Sequence, residues 1–375
     1  MNINAENERI KKKYLDQLRD ADGLSEASIV SISRALHKYD IYSKSDSYKL
    51  ITPTKAKAFR EQLVGEKGIK RVRSLTTAYG VLRHVCSFFR WLSEEPGFKR
   101  QELRDSVGYL KLDKNQIREA TASRYQEAPS LDYVIKLTQS IKSADEISRR
   151  DRAIIAFLFL TGMRDLAVVT LPIGCFDRQA NLIHQDPSKG VRTKNRKYIC
   201  SRLLPFDLAM VQIVLEWFDF LVNQKGFKES DPLFPRTRVV QSGLSLSFEA
   251  LGVEPVFWQT AGPIRSILQD RSKHANLPYF KPHLFRHGSI RLSAHYCKTP
   301  EQLRALSQNY GHENIGTTLS TYGKFDTHQV IDIVGKMDFK LTAESSSSET
   351  QIDKMIELLT EMKKKGIHIS GQAGQ

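Results

Sequence analysis

The run Ala153–Leu160, AIIAFLFL, constrains the fold of this chain more than any other segment. It is entered through the charged residues RRDR at 149–152 and left through Thr161 and Gly162. A helix built from these residues is apolar on every side, so it must lie at the centre of a domain with other elements packed around it. Gly162 ends the helix and Arg164 follows at once. A cation just past the end of a buried helix stands on a rigid platform.

The flanking patterns are mostly helical. Residues 1–22 read as a charged helix with Ile10, Tyr14, Leu15 and Leu18 on one side, for packing in cis or on a partner, and Asp22-Gly23 breaks it. Helices are expected near 25–38, 53–65 and 75–93, the last capped by Ser74 or Thr76 and carrying Tyr79, Leu82, Val85, Phe88, Phe89 and Leu92. No strand pattern precedes residue 110. Polar residues without apolar periodicity then read as a linker. Beyond it, helices are expected at about 131–142, 207–223, 260–273, 284–296, 300–308 and 314–320. Two short extended segments, near 181–185 and 197–204, suggest one small antiparallel sheet with a basic turn between them. The segment TAESSSSET at 342–350 leads into a short amphipathic helix with Ile352, Met355, Ile356, Leu359 and Met362 in phase.

Charge narrows the partners. The chain has 57 Lys and Arg against 42 Asp and Glu, a formal net charge of +15, which favours a polyanion and nucleic acid first. Between residues 51 and 100 there are 11 Lys or Arg and 4 Glu, a net of +7. Lys67, Lys70, Arg71 and Arg73 lie just ahead of the long helix, where basic side chains and a helix N-terminus can meet a phosphate backbone. Four dispersed cysteines form no CxxC pair, which argues against a zinc ribbon or a disulfide framework. No run of about 18 apolar residues occurs, so no membrane span is expected. The expected location is cytoplasmic, associated with the nucleoid.

Four motifs carry the chemistry: TGMR at 161–164, HLFRH at 283–287, YGHENIG at 310–316 and STYGK at 320–324. Arginine suits a phosphodiester because its planar fork donates to two oxygens and keeps its charge. His283 and Arg286, three apart on a helix begun by Pro282, face the same way and can reach one phosphate. His283 and His287 at i, i+4 also admit a zinc reading, but Leu284 stands where HExxH has glutamate and no third ligand is evident. Tyr322, between small residues, presents a hydroxyl that needs a base and nearby cations to act as a nucleophile at neutral pH.

In order and spacing these motifs resemble the catalytic signature of the tyrosine recombinase (phage integrase) family, over roughly residues 128–335. The segment TTAYGVLRHVCSFFRWL at 76–92 is similar to that family's N-terminal core-binding domain. The resemblance implies a mainly α protein of the DNA breaking-rejoining fold. Its parts would be an N-terminal helix at 1–22, a helical core-binding domain at 23–112, a linker at 113–129, a mostly helical catalytic domain with a small antiparallel sheet at 130–340, and a serine-rich linker with a C-terminal helix at 341–375.

It also implies roles. Arg164 and Arg286 would hold the scissile phosphate, His283 would act as general acid/base, and His312 would hydrogen-bond the phosphate. Tyr322 would attack to give a 3′-phosphotyrosine and a free 5′-hydroxyl, with neither ATP nor metal. A lysine of the hairpin would protonate the leaving oxygen. Lys194 best matches the family's Arg-Thr-Lys turn, with Lys197 and Lys189 as alternatives. The implied partners are double-stranded DNA with specific recombination sites, further copies of the chain in a tetrameric synapse, and optional accessory proteins. A non-catalytic DNA-binding protein and a type IB topoisomerase-like enzyme are the competing expectations. Two features depart from the family pattern: Ala167 stands where an acidic residue is usual, and the step from His312 to Tyr322 is one residue longer than in common members.

Overall fold

The computed structural model describes residues 4–65, 74–122, 126–241, 248–313 and 316. The chain divides into two compact units, Met1–Arg124 and Tyr125–Gln375.

The first unit is helical throughout its described residues: α1 (Ala5–Asp20), α2 (Glu26–Ser43), α3 (Pro53–Val64), α4 (Leu75–Leu92), α5 (Gln101–Tyr109) and α6 (Lys114–Thr121). Five of these begin at a side-chain cap: Asn4, Ser25, Thr52, Ser74 and Asp113 each accept a backbone N–H three residues on. Each such cap contributes about 1 kcal/mol. Helix α4 supplies the centre of the core, burying Leu82, Val85, Phe88, Phe89 and Leu92 against Tyr39, Tyr48 and Phe59. The apolar side of α1 is covered in cis: Tyr14 is buried, with ring centroids 5.2 Å from Phe88 and 4.9 Å from Trp91.

The expected linker, 113–129, holds a helix in its first half. Asp113 and Gln116 form a reciprocal capping box, Ala120 is buried, and Thr76 Oγ1 donates to the Ala120 carbonyl at 3.0 Å. An eight-residue helix with so few apolar residues leaves almost no periodic trace, because its cap and docking rather than an apolar stripe hold it. The units divide at Arg124/Tyr125, within the same segment.

The second unit runs α7 (Leu131–Ser140), α8 (Glu146–Thr161), α9 (Asp165–Val169), β1 (Phe176–Asp177), β2 (Leu182–Gln185), β3 (Ile199–Arg202), α10 (Leu208–Asp219), β4 (Arg236–Gln241), β5 (Phe248–Glu254), α11 (Gly262–His274), α12 (Pro282–Ala294) and α13 (Pro300–Asn309). Helix α8 is the axis: every residue from Ala153 to Leu160 is at most 1% exposed, and α7, α10, α11 and α12 pack on it. The first sheet is antiparallel, β1-β2-β3, with Ile183 opposite both Phe176 and Ser201. The molecule is mainly α, as expected.

A second sheet, the hairpin β4–β5, has no counterpart in the sequence reading. Along β4 no residue is fully buried, so the apolar alternation that marks a half-buried strand is missing. Polar anchors hold it instead. Val253 N donates to Glu146 Oε2 at 2.8 Å, and Arg150 Nη1 donates to the Pro235 carbonyl and to Thr237 Oγ1.

Candidate functional site

Helix α8 stops at Gly162, which adopts φ +57°. Any Cβ there would lie 2.4 Å from Cε1 of Tyr310, so both the turn and the packing require glycine. The stop presents the Gly162 carbonyl to α12 and starts α9 at the half-buried Arg164. Pro282 opens α12, placing His283 in its first turn and Arg286 and His287 in the next. Helix α13 ends at Tyr310, and Gly311 with φ +67° turns the chain into His312.

These ends converge on Arg286, which is 4% exposed. Its Nη1 donates to the Gly162 carbonyl at 2.6 Å, and its Nη2 donates to the Tyr310 carbonyl at 2.7 Å and to His312 Nε2 at 2.6 Å. Gly162 and Tyr310 are the C-caps of α8 and α13, so the buried guanidinium sits at the negative ends of two helix dipoles. A guanidinium can only donate. His312 Nε2 therefore accepts, and the imidazole proton is on Nδ1.

No carboxylate neutralises this cluster among the described residues. Arg286 is paired with two carbonyls and an imidazole, and the Arg164 guanidinium makes no hydrogen bond or ion pair among the described residues. Burial lowers the pKa of Arg164. Burial, then the Arg164 charge, lower that of Arg286 to about 9, so it stays cationic at neutral pH. His312 is pushed down to about 3 by burial and by Arg286 and Arg164, and His283 is lowered by burial, Arg286 and Arg164. Both imidazoles are neutral at pH 7. The charge of Arg164 is thus felt at His283, Arg286 and His312 together. Among the described residues Asp165 is the one acidic group acting on His283, and it also pairs with Arg265 at 3.3 Å.

The structure brings Arg164, His283, Arg286 and His312 into one site. Lys194 lies on the exposed turn between β2 and β3, and its charge acts on Glu313, the residue after His312. Lys197 forms an ion pair with Glu313, whereas Lys189 acts on Cys175 and Asp186. Tyr322, the basic residues Lys67, Lys70, Arg71 and Arg73, and the C-terminal segment at 341–375 lie outside the described residues. Ala167, the position without its usual acid, is buried in the apolar core. His283 Nε2 and His287 Nε2 are 3.0 Å apart, in hydrogen-bond contact with each other. Among the described residues no group of three His, Cys, Asp or Glu is arranged to hold a metal ion. Nor is any described helix long and apolar enough to cross a membrane.

The sequence reading did not single out Tyr310. It is 1% exposed, its carbonyl receives Arg286, its hydroxyl contacts Ser289 and Ser293, and its ring covers Gly162. The signal was the tyrosine of YGH itself, an aromatic with a polar tip that needs a partner when buried.

This end of α8 thus sets one buried and one half-buried guanidinium beside two neutral imidazoles. Residues 131–328 match the phage integrase family, which is more than half of the chain, and the chain belongs to that family, the tyrosine recombinases. It is 25% identical over 252 residues to tyrosine recombinase XerC of Roseiflexus castenholzii, covering 66% of this chain and 68% of the relative. Tyrosine recombinase XerC of Vibrio vulnificus is 24% identical over 211 residues, and the match spans 57% of that relative's length and 56% of this chain. The fold is similar to a lambda integrase dimer bound to a COC′ core site, with TM-score 0.58, 13% identity, and coverage of 90% of this chain and 80% of that one. It is also similar to XerH recombinase bound to a palindromic difH substrate after cleavage, with TM-score 0.54, 16% identity, and coverage of 87% and 83%.

Proposed function

We propose that this protein is a site-specific DNA recombinase that cuts and rejoins strands through a 3′-phosphotyrosine on Tyr322. The observation that carries the reading is the pair of arginines without a carboxylate. Burying an unneutralised cation such as Arg286 costs several kcal/mol, and a fold that accepts this with the half-buried Arg164 beside it reserves the site for an anion brought by substrate. Arg164 and Arg286 hold the non-bridging oxygens, and His312 adds a hydrogen bond without adding charge.

His283, neutral at pH 7, accepts the proton of the Tyr322 hydroxyl as its oxygen bonds to phosphorus. The 5′-oxygen leaves and takes a proton from Lys194. Lys194 is preferred because Lys197 is engaged by Glu313 and Lys189 acts elsewhere. The covalent intermediate conserves the bond energy, so a second strand's 5′-hydroxyl can reverse the step and rejoin. Residues 23–112, with Lys67, Lys70, Arg71 and Arg73, grip the DNA backbone, while residues 130–340 carry the chemistry.

The solved relatives support duplex DNA as partner and a tetrameric synapse, since lambda integrase is known as a tetramer bound to a Holliday junction. The segment after residue 341 is assigned to contacts between copies; deleting 342–375 should weaken synapsis more than single-site binding in gel-shift titrations. The direct test uses nicked suicide duplexes carrying the recombination site. Wild-type protein should become covalently attached to DNA and Tyr322→Phe should not, with binding retained. Adducts formed by Tyr322→Phe would overturn the assignment. Sequence-tolerant relaxation of supercoils without strand exchange would point instead to topoisomerase chemistry.

A further inference from the structure

Three buried hydroxyls join α12 to the end of α13: Ser289 is 0% exposed, Ser293 5% and Tyr310 1%. Tyr310 Oη lies 2.6 Å from Ser289 Oγ and 3.1 Å from Ser293 Oγ. Ser293 Oγ also lies 2.8 Å from the Ser289 carbonyl and 3.1 Å from the Ile290 carbonyl, to which it can donate. Tyr310 Oη has a single proton, so it cannot donate to both serines and accepts from at least one of them. The result is a continuous chain from Ser289 through Tyr310 and Ser293 back to the backbone of α12. Buried chains of this kind strengthen one another, and breaking one link leaves an unsatisfied hydroxyl in an apolar interior.

The same tyrosine faces the candidate site with its other groups. Its carbonyl accepts from Arg286 Nη2, its ring centroid lies 5.5 Å from the Arg286 guanidinium carbon, and two residues later His312 accepts from the same Nη2. Ser289 is one turn beyond Arg286 on α12. The hydroxyl chain therefore sets where the end of α13 rests against α12, which is the separation that Arg286 Nη2 must bridge.

We propose that Tyr310, with Ser289 and Ser293, is a positioning residue that locks Arg286 and His312 in their anion-receiving arrangement; this rests on the reading of the site as a phosphate site. Tyr310 touches no reacting atom. It acts by denying Arg286 other rotamers and by holding the turn that presents His312.

The test uses the full chain and inorganic phosphate as probe, with affinity measured by calorimetry at low ionic strength. Tyr310→Phe keeps the ring and removes the hydroxyl, and should weaken phosphate binding about fivefold. In an Arg286→Lys background, whose ammonium cannot bridge the same acceptors as a planar fork, adding Tyr310→Phe should cost nothing further. A merely structural tyrosine would give the same loss in both backgrounds. Should Tyr310→Phe fail to fold, Ser289→Ala removes the first link of the chain with a smaller change and should show the same non-additivity. Unchanged phosphate affinity in Tyr310→Phe or Ser289→Ala, or an additive loss, overturns the lock alone. Failure of the wild-type protein to bind phosphate overturns the lock together with the site reading beneath it.

Discussion

The two ends of α8 hold arginines in opposite circumstances. At the N-terminal end, Arg150 and Arg271 share the buried carboxylate of Asp151: Arg150 Nη2 lies 2.9 Å from Asp151 Oδ1 and Arg271 Nη2 lies 2.7 Å from Oδ2. Arg150 also donates to Pro235 and Thr237 and stacks 5.0 Å over Trp258. At the C-terminal end, Arg286 has two carbonyls, His312 and the Tyr310 ring but no carboxylate, and the Arg164 guanidinium has no hydrogen bond or ion pair among the described residues. One helix thus separates cations neutralised by a carboxylate from cations that have none among the described residues. Local sequence type does not distinguish them; the presence or absence of a carboxylate does.

The largest effect should come from breaking the neutralised end. Asp151→Ala leaves two arginines in a buried setting without their anion, and should cost about 3–5 kcal/mol in chemical denaturation. Any activity surviving per folded molecule should be normal. Arg164→Ala should show the converse: unfolding free energy unchanged or slightly raised, and covalent adduct formation on suicide DNA slowed by about 10²–10³-fold. If Arg164→Ala destabilises the fold as Asp151→Ala does, the contrast between the two ends fails.

A smaller shift should follow from filling the open end. Inorganic phosphate at about one hundred times its dissociation constant should stabilise the wild-type protein by about 2.7 kcal/mol, read as a rise in Tm. Arg164→Ala should lose most of that rise, and substitution of Arg178, an exposed arginine paired with Asp219, should lose none of it.

A further effect concerns pH. His287 is lowered to about 4 and His312 to about 3 in the folded chain, from an ordinary 6.5, mainly by burial and then by the cations and imidazoles around them. Their folded pKa values lie below the unfolded ones, so between those limits the unfolded chain binds more protons. Their neutral forms are fully accommodated above about 6.5, and stability falls as pH drops through that value toward 4. Thermal unfolding in phosphate-free buffer should therefore weaken from pH 7 to pH 5. The slope should flatten in His312→Asn, since that side chain does not titrate; an unchanged slope would show that His312 is not held neutral by the cluster.

Much of this was legible along the chain. AIIAFLFL announced the buried axis, Gly162 its end, and Ser74 and Pro282 the starts of two further helices. Arg164, His283, Arg286 and His312 could be named because phosphate chemistry narrows the side chains that serve it, and their order and spacing match a known family. The helix α6 and the hairpin β4–β5 were not legible. Both are held by caps and polar anchors such as Asp113 and Glu146, which leave no apolar period to read. Tyr310 was hidden for a different reason: its partners Ser289 and Ser293 are ordinary residues until α12 and α13 are brought together.

The sequence by itself determined the mainly helical class, the central helix, the cationic balance and the family to which the chain belongs. Those follow from local periodicity and side-chain chemistry, which need no knowledge of distant neighbours. Only the tertiary structure decided which arginines are neutralised and which are left open. That depends on where Asp151, the Gly162 and Tyr310 carbonyls and the hydroxyls of α12 come to rest. Electrostatic and hydrogen-bond partnership is a matter of a few ångströms between residues more than a hundred positions apart, and the fold alone sets it.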